Sequence, residues 1–229
     1  MTNMEGILSP LLLTLKVASL ATLFSFLAGV MLAKFIAHFR FPGRDWLDAI
    51  LTLPLVLPPT VLGYYLIVLL GRKGWLGRFL LESFGISLMF TWQGAVIASA
   101  VVSFPLIFKS ARASFESVDQ DLEKAARTLG SSEWAVFLRV SLPLAWRGML
   151  AGAMLAFARA MGEFGATLMI AGNLPGKTQT LSLAVYNAVQ SGNDHLATTL
   201  VLITSIVCVL VLVSSGKVFK SSYIKGLDR

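Results

Sequence analysis

Arg159 and Glu163 stand one helical turn apart inside an otherwise apolar stretch, residues 148–171. Counted from Arg147 at about 1.5 Å per residue, Arg159 falls roughly 18 Å along a helix, near the middle of a bilayer. Charges at that depth are costly and usually face a bundle interior or a watery cavity. Two uses fit the pair and can coexist: an ion pair that holds helices in register, and the lining of a translocation path. Hydrolytic chemistry has no comparable residues. The chain carries no phosphate-cradling glycine loop followed by lysine, no HExxH and no GxSxG. His38 and His195 flank different apolar stretches, and the single Cys208 lies inside one, so neither a metal cluster nor an intrachain disulfide is expected. The reading is a non-enzymatic chain without cofactor or metal, whose energy for any work comes from a partner.

A second irregular stretch, LPLVLPPTVLGYY, lies in the apolar segment 47–70. Pro54, Pro58 and Pro59 free backbone carbonyls, and Pro59 disfavours helical geometry at Pro58. The segment should bend or unwind near its middle. Freed backbone at membrane depth is tolerated only against protein or a cavity. Thr60, Tyr64 and Tyr65 supply hydroxyls after the break. A kinked packing helix would explain this, but a pore-lining or gate segment explains it better, which makes Pro58, Pro59, Thr60, Tyr64, Arg159 and Glu163 the path candidates.

These residues need spans to hold them. The chain of 229 residues is 56% hydrophobic and 14% charged, an integral-membrane composition. Five segments reach the roughly 20 residues a crossing needs: 9–33, 47–70, 89–108, 148–171 and 196–215. The first has its basic residues after it and carries Lys16, so it reads as a retained span and not a signal peptide. With the N-terminus outside, thirteen Lys and Arg fall on the inner side and four, Arg72, Lys73, Arg78 and Lys177, on the outer. The positive-inside rule therefore places the N-terminus outside and the C-terminus in the cytoplasm. The net charge of +7 sits in loops between spans and does not point to nucleic acid. Residues 181–189 suit a short helix that dips into the outer leaflet or lies on it, and are not counted as a span. Gly148, Gly152, Ala156 and Ala160 form a small-residue ridge, read as a helix-packing surface.

Between the third and fourth spans lies a polar loop, residues 117–143, containing EKAARTLGSSEWAVFLRVSLP. Ser117 with Gln120 fits a capping box. Leu122, Ala125, Ala126 and Leu129 recur at helical spacing as one apolar stripe. Gly130 is placed to end that helix in a left-handed turn. Ser131 or Ser132 can cap a second helix, and Pro143 is expected to prevent a smooth return into the membrane. Such a knob on a hydrophobic protein implies that another protein grips it.

In type and spacing, Glu123, Ala125, Ala126, Gly130, Val140, Leu142 and Pro143 resemble the cytoplasmic coupling loop of ABC-importer permeases, where Ile is preferred at the position of Val140. LPLVLPPTVLGYYLIVLLGRKGWLG, SFPLIFKSARASFESVD and ARAMGEFGATLMIAGNLPGKTQT resemble the molybdate permeases of bacterial ABC importers. Sulfate and tungstate permeases share the Gly162, Glu163, Phe164, Gly165 stretch. The resemblance implies one all-α integral membrane domain over 1–229 with the type I ABC-importer permease fold, in the inner or plasma membrane of a prokaryote. It implies a homodimer with the path at the subunit interface, two copies of a cytoplasmic ABC ATPase subunit, and a periplasmic or lipid-anchored oxyanion-binding protein. Glu123, Ala125, Ala126, Gly130, Leu142 and Pro143 would then couple to the ATPase. Rivals are a sulfate or tungstate permease, a secondary transporter or channel relaying ions through Arg159 and Glu163, and a membrane scaffold. Five spans without a detectable internal repeat count against the second.

Overall fold

A computed structural model describes residues 2–39 and 41–224, with side chains described from 6 to 213 apart from residue 40. Of the cations counted on the inner side, Arg40, Lys225 and Arg229 lie outside the described residues, as do the side chains of Lys217 and Lys220. The described chain is helical: α1 (Thr2–His38), α2 (Arg44–Val56), α3 (Pro59–Leu70), α4 (Trp75–Phe84), α5 (Trp92–Glu116), α6 (Gln120–Thr128), α7 (Glu133–Val136), a π-helical turn (Phe137–Ser141), α8 (Leu142–Met161), α9 (Gly165–Ala171), α10 (Leu181–Gln190) and α11 (Asp194–Ile224). Four helical stretches are long and apolar enough to cross a membrane, and the bent pair α2–α3 makes a fifth. The inner end of that pair is tied by Asp48 to Lys109 and Arg112. Its outer end, at Leu70, packs in the same cluster as Leu88 and Met89.

Packing fixes directions. Val17 and Ala21 meet Ala95 and Val96, while Val30 and Ile36 meet Phe108 and Phe115, so α1 and α5 run parallel. The return helix α8 runs against them: Ala145 joins the Phe115 end and Ala160 the Ala95 end. The small-residue ridge makes this approach possible. A Cβ on Gly148 would fall 1.9 Å from the Ser114 hydroxyl, and one on Gly152 2.5 Å from the Ser110 Cβ. Ala156 and Ala160 continue the ridge as buried residues. Close backbone approach of this kind is what small residues permit in membranes.

Three expectations are corrected here. The fourth span is not one helix, because Gly162, Glu163 and Phe164 interrupt it between α8 and α9. Pro143 does not block the return to the membrane. It stands in the first turn of α8, where a missing N–H costs little, and the π turn before it absorbs the irregularity, so 133–161 reads as one continuous span. The first span is longer than 9–33, since α1 runs from residue 2 to residue 38. The short helix α10 has 10 residues, too few to cross. Its first residue, Leu181, is fully buried and donates its N–H to the Thr14 hydroxyl at 2.8 Å. That bond ties the start of α10 to α1.

Candidate functional site

Two regions bring the singled-out residues together. The first is the knob between α5 and α8. Its helix α6 does not begin at Ser117. That residue ends α5, with its hydroxyl donating to the Ser114 carbonyl at 2.8 Å. Asp119 caps α6 instead, accepting from the Asp121 amide at 2.9 Å. The capping-box spacing was met, but α5 runs on to Glu116 and consumes Ser117. At the other end Gly130 has φ +84°. Its amide donates to the Arg127 carbonyl at 2.9 Å, and the Ser131 amide to the Ala126 carbonyl at 3.1 Å. These are the two bonds of a Schellman turn. Ser132, one of the two serines considered, caps α7 by accepting from the Ala135 amide at 3.3 Å.

The faces of α6 sort by chemistry. Leu122, Ala125 and Leu129 point away from the protein, with Leu129 86% exposed, and Ala126 is half-buried. Trp134 and Leu138 are exposed beyond them. Glu123 takes the opposite face and is buried. Its Oε1 accepts from Lys34 Nζ at 2.8 Å and from the Ser141 hydroxyl at 2.5 Å. Lys34 Nζ also donates to Ser141 Oγ at 3.1 Å, and Arg127 reaches Glu123 Oε2 at 3.4 Å. One carboxylate thus ties α6 to the inner end of α1 and to the π turn. Burial would raise the Glu123 carboxyl, but bonds from Lys34 and Ser141 and the charge of Lys34 outweigh it and hold the carboxyl at about 2. Lys34 and Ser141 were missed in the sequence, because 89 and 107 residues separate the members of this cluster and no local pattern links them. Leu142 packs half-buried against the neighbouring apolar cluster, while Pro143 is exposed.

Gly130 offers a direct check of this geometry. No atom lies within 4 Å of a Cβ placed there, so only backbone strain opposes a side chain. A left-handed L-residue costs about 1–2 kcal/mol, more for a β-branched one, and Asn tolerates the region. Gly130→Val is expected to raise amide exchange across 120–131, and Gly130→Asn to leave it near wild type. Equal exchange in both variants would contradict the turn.

The second region is at the breaks within the second and fourth spans. α2 and α3 meet at a 115° bend around Leu57 and Pro58. Pro59 opens α3, where proline is at ease. The outer half-helices α3 and α9 lie side by side: a Cβ on Gly165 would be 3.0 Å from Pro59 Cβ, and one on Gly63 2.7 Å from Met169 Cβ. The breaks in the second and fourth spans are therefore level with each other. Glu163 bridges the two sides of the break between α8 and α9 through two oxygens. Oε2 accepts from Arg159 Nη1 at 2.8 Å, and Oε1 accepts from the Ala166 amide at 2.9 Å, capping the first turn of α9. The Glu163 side chain is 1% exposed and that of Arg159 35%. The arginine is thus the more open member of the pair. Thr60, Tyr64 and Pro58 are exposed, with the Tyr64 and Tyr65 rings 6.4 Å apart, on the outward face of the bend. The structure brings Pro59 and Gly165 together and pairs Glu163 with Arg159; it records no contact of Tyr64 with Arg159. The sequence did carry a signal for the break, a carboxylate three residues before an amide after a glycine, which is cap spacing.

Residues 25–223 match the family model described as "binding-protein-dependent transport system inner membrane component". The chain belongs to that family. This inner-membrane component is 47% identical over 205 residues to the molybdenum transport system permease protein ModB of Escherichia coli (strain K12), covering 89% of this chain and 90% of that one. It is 38% identical over 201 residues to the sulfate transport system permease protein CysW of Synechococcus elongatus, covering 88% and 70%. Its fold matches that of the MetNI methionine ABC transporter in inward-facing conformations, with TM-score 0.73 at 18% identity over 95% of this chain and 96% of that one. The inner-membrane component accordingly has the type I importer permease fold and is a multi-pass membrane protein.

Proposed function

We propose that the chain is the membrane-spanning subunit of an ATP-driven importer for a tetrahedral oxyanion, molybdate. The observation that carries this reading is the near-full-length 47% identity to a molybdenum permease, against the lower identity and coverage of the sulfate permease. Tungstate, a dianion of nearly equal size, would be expected to follow the same route. The chain is the non-catalytic part. ATP binding closes two partner ATPase subunits, and α6 of each of two copies of this chain is drawn inward with them. The outward stripe of Leu122, Ala125 and Leu129 suits a groove on that ATPase, as helix-in-groove docking requires. Ala126 and Gly130 shape the docking helix. Glu123 acts from behind, passing its motion to α1 and to the π turn through Lys34 and Ser141. Leu142 and Pro143 lead that motion into α8.

The path runs at the interface of the two copies, past the level breaks. Pro58, Pro59, Thr60 and Tyr64 supply irregular backbone and hydroxyls, and Arg159 a positive bias. Glu163 tempers that bias, since a lone midplane arginine would hold a dianion too well. On the outer side, α4 with its flanking loop and the segment 173–194 receive the binding protein. Arg78 is already paired with Glu82 at 2.7 Å, so Arg72, Lys73 and Lys177 are the steering charges. The N-terminus is outside. Cysteines at Lys73 and Lys177 are expected to react with an impermeant thiol reagent added outside, and labelling from the cytoplasmic side alone would overturn this topology.

Co-purification tests the class. Full-length chain extracted in mild detergent is expected to bring down an ATPase subunit, and Gly130→Val to lose it while still inserting in the membrane. Transport by the purified chain without any ATPase would instead favour a secondary transporter.

A further inference from the structure

Beside the knob, four elements enclose a cavity of about 570 Å³. Its walls are the inner end of α1, the start of α2, the end of α5 and one flank of α6. Lys34, His38, Arg44, Lys124 and Arg127 line it. The lining carboxylates, Glu116 and Glu123, are already engaged. Glu116 accepts from Arg44 and Arg112, both at 2.9 Å, and Glu123 from Lys34, Ser141 and Arg127. Four lining cations, Lys34, Arg44, Lys124 and Arg127, thus face two lining carboxylates, with Lys124 also paired to Asp121 at 2.8 Å and Arg127 to Glu133 at 2.6 Å just outside the lining. The Arg44 Nε is buried and has no hydrogen-bond partner among the described residues, while the Nη2 of the same guanidinium donates to Glu116. Arg44 is also the first residue of α2, a helix of 13 residues whose cap position, Gly43, supplies no side-chain cap. The positive end of that helix is partly offset by Asp45 in the same turn. The volume is that of an ordinary small-ligand pocket, roughly 300–1,000 Å³.

We propose that this cavity binds a phosphate-type oxyanion, which bridges the α1–α2 corner to α6 and stiffens the seat of the knob. The occupant's chemistry is a tetrahedral, multiply charged oxyanion, which Arg44, Lys34 and Lys124 would meet with charge-assisted hydrogen bonds and His38 with a ring N–H. Two sources present that chemistry. One is the headgroup of an anionic lipid in the same leaflet, where exposed Phe39 and Trp46 flank the cavity's entrance residues in sequence. The other is a free oxyanion in the aqueous phase. The proposal does not depend on which solute is imported, only on the residues around the cavity.

The test uses the full-length chain in lipid nanodiscs. In one arm the discs contain phosphatidylglycerol with phosphatidylcholine, and lipid retained on the protein is read by native mass spectrometry. In the other the discs are pure phosphatidylcholine, and inorganic phosphate is titrated calorimetrically. The control variant is His38→Gln with Lys124→Gln, both exposed side chains whose loss leaves the Glu116 and Glu123 pairs intact. Wild-type chain is expected to bind in at least one arm, and the double variant to bind there about tenfold more weakly, the scale of one or two charge-assisted bonds. Retention of phosphatidylglycerol alone assigns a headgroup, and phosphate binding assigns a soluble anion. No binding in either arm, or undiminished binding by the double variant, overturns the proposal. A failed co-purification with ATPase would leave this result standing, so the two readings fail separately.

Discussion

Glu123→Gln is expected to leave the protein inserted in the membrane at normal levels but without ATP-driven uptake. Glutamine keeps the size and one acceptor, so Ser141 retains a partner. It removes the charge that holds Lys34 and Arg127. Hydrogen bonds to charged groups are worth about 1.5–3 kcal/mol each, and Lys34 is still 21% exposed, so the local loss is about 2 kcal/mol. The cost falls on the anchoring of α6 and not on the span packing, which is why insertion survives. Lys34→Gln should cost a similar amount, and the double variant less than the sum, as a coupled pair requires. The pH dependence follows with its sign. The Glu123 carboxyl is lowered from 4.5 to about 2 in the folded protein. Its contribution is therefore fully present above about 4.5 and lost as pH falls toward 2. Amide exchange across α6, corrected for intrinsic rates, should be flat from neutral pH down to about 5 and rise below. The glutamine variant should lack that rise. Unchanged uptake in Glu123→Gln would contradict the role given to this residue.

Single changes at Arg159 and Glu163 are expected to differ from each other, because each leaves a different orphan. Arg159→Gln abandons a carboxylate that is 1% exposed, while Glu163→Gln abandons a guanidinium that is 35% exposed and keeps an acceptor for the Ala166 amide. Removing one partner from a buried pair costs about 3–5 kcal/mol, and the arginine change should approach that figure more closely. Membrane abundance should fall in the order wild type, Glu163→Gln, Arg159→Gln. Glu163→Ala, which also uncaps α9, should fall below Glu163→Gln. The double variant Arg159→Gln with Glu163→Gln should recover abundance. Its uptake should remain low, because the positive bias of the path is gone. Recovery of both abundance and uptake would make the pair a structural one only. Wild-type behaviour of both single variants would remove these residues from the account.

Much of this was readable along the chain wherever the physics is local. The Arg159–Glu163 pair follows from i,i+4 spacing, and the Gly130 turn follows from an apolar stripe that stops at a glycine. The break at Pro58 follows from adjacent prolines that no helix can accommodate. What was missed depends on distance or on competition. Ser117 and Asp119 are both able caps, and only the length of α5 decides between them. The stripe on α6 showed that one face is apolar, but not that this face looks outward while Glu123 looks in. That inversion comes from Lys34 and Ser141, contributed by elements far away in sequence. Pro143 looked like a stop because the π turn before it has no sequence signature of its own. The interruption at Gly162–Phe164 was obscured by the hydrophobicity on either side, although Glu163 stood at cap spacing.

The most direct measurement is uptake into proteoliposomes holding the full-length chain with its ATPase subunits and loaded with ATP. Labelled molybdate is presented outside on the binding protein, with tungstate and sulfate as competitors. The account predicts uptake that requires ATP and the binding protein, is suppressed by tungstate and little affected by sulfate, and is abolished by Glu123→Gln. Molybdate accumulation that proceeds without ATP, or an ATP-dependent uptake of sulfate with none of molybdate, would contradict it.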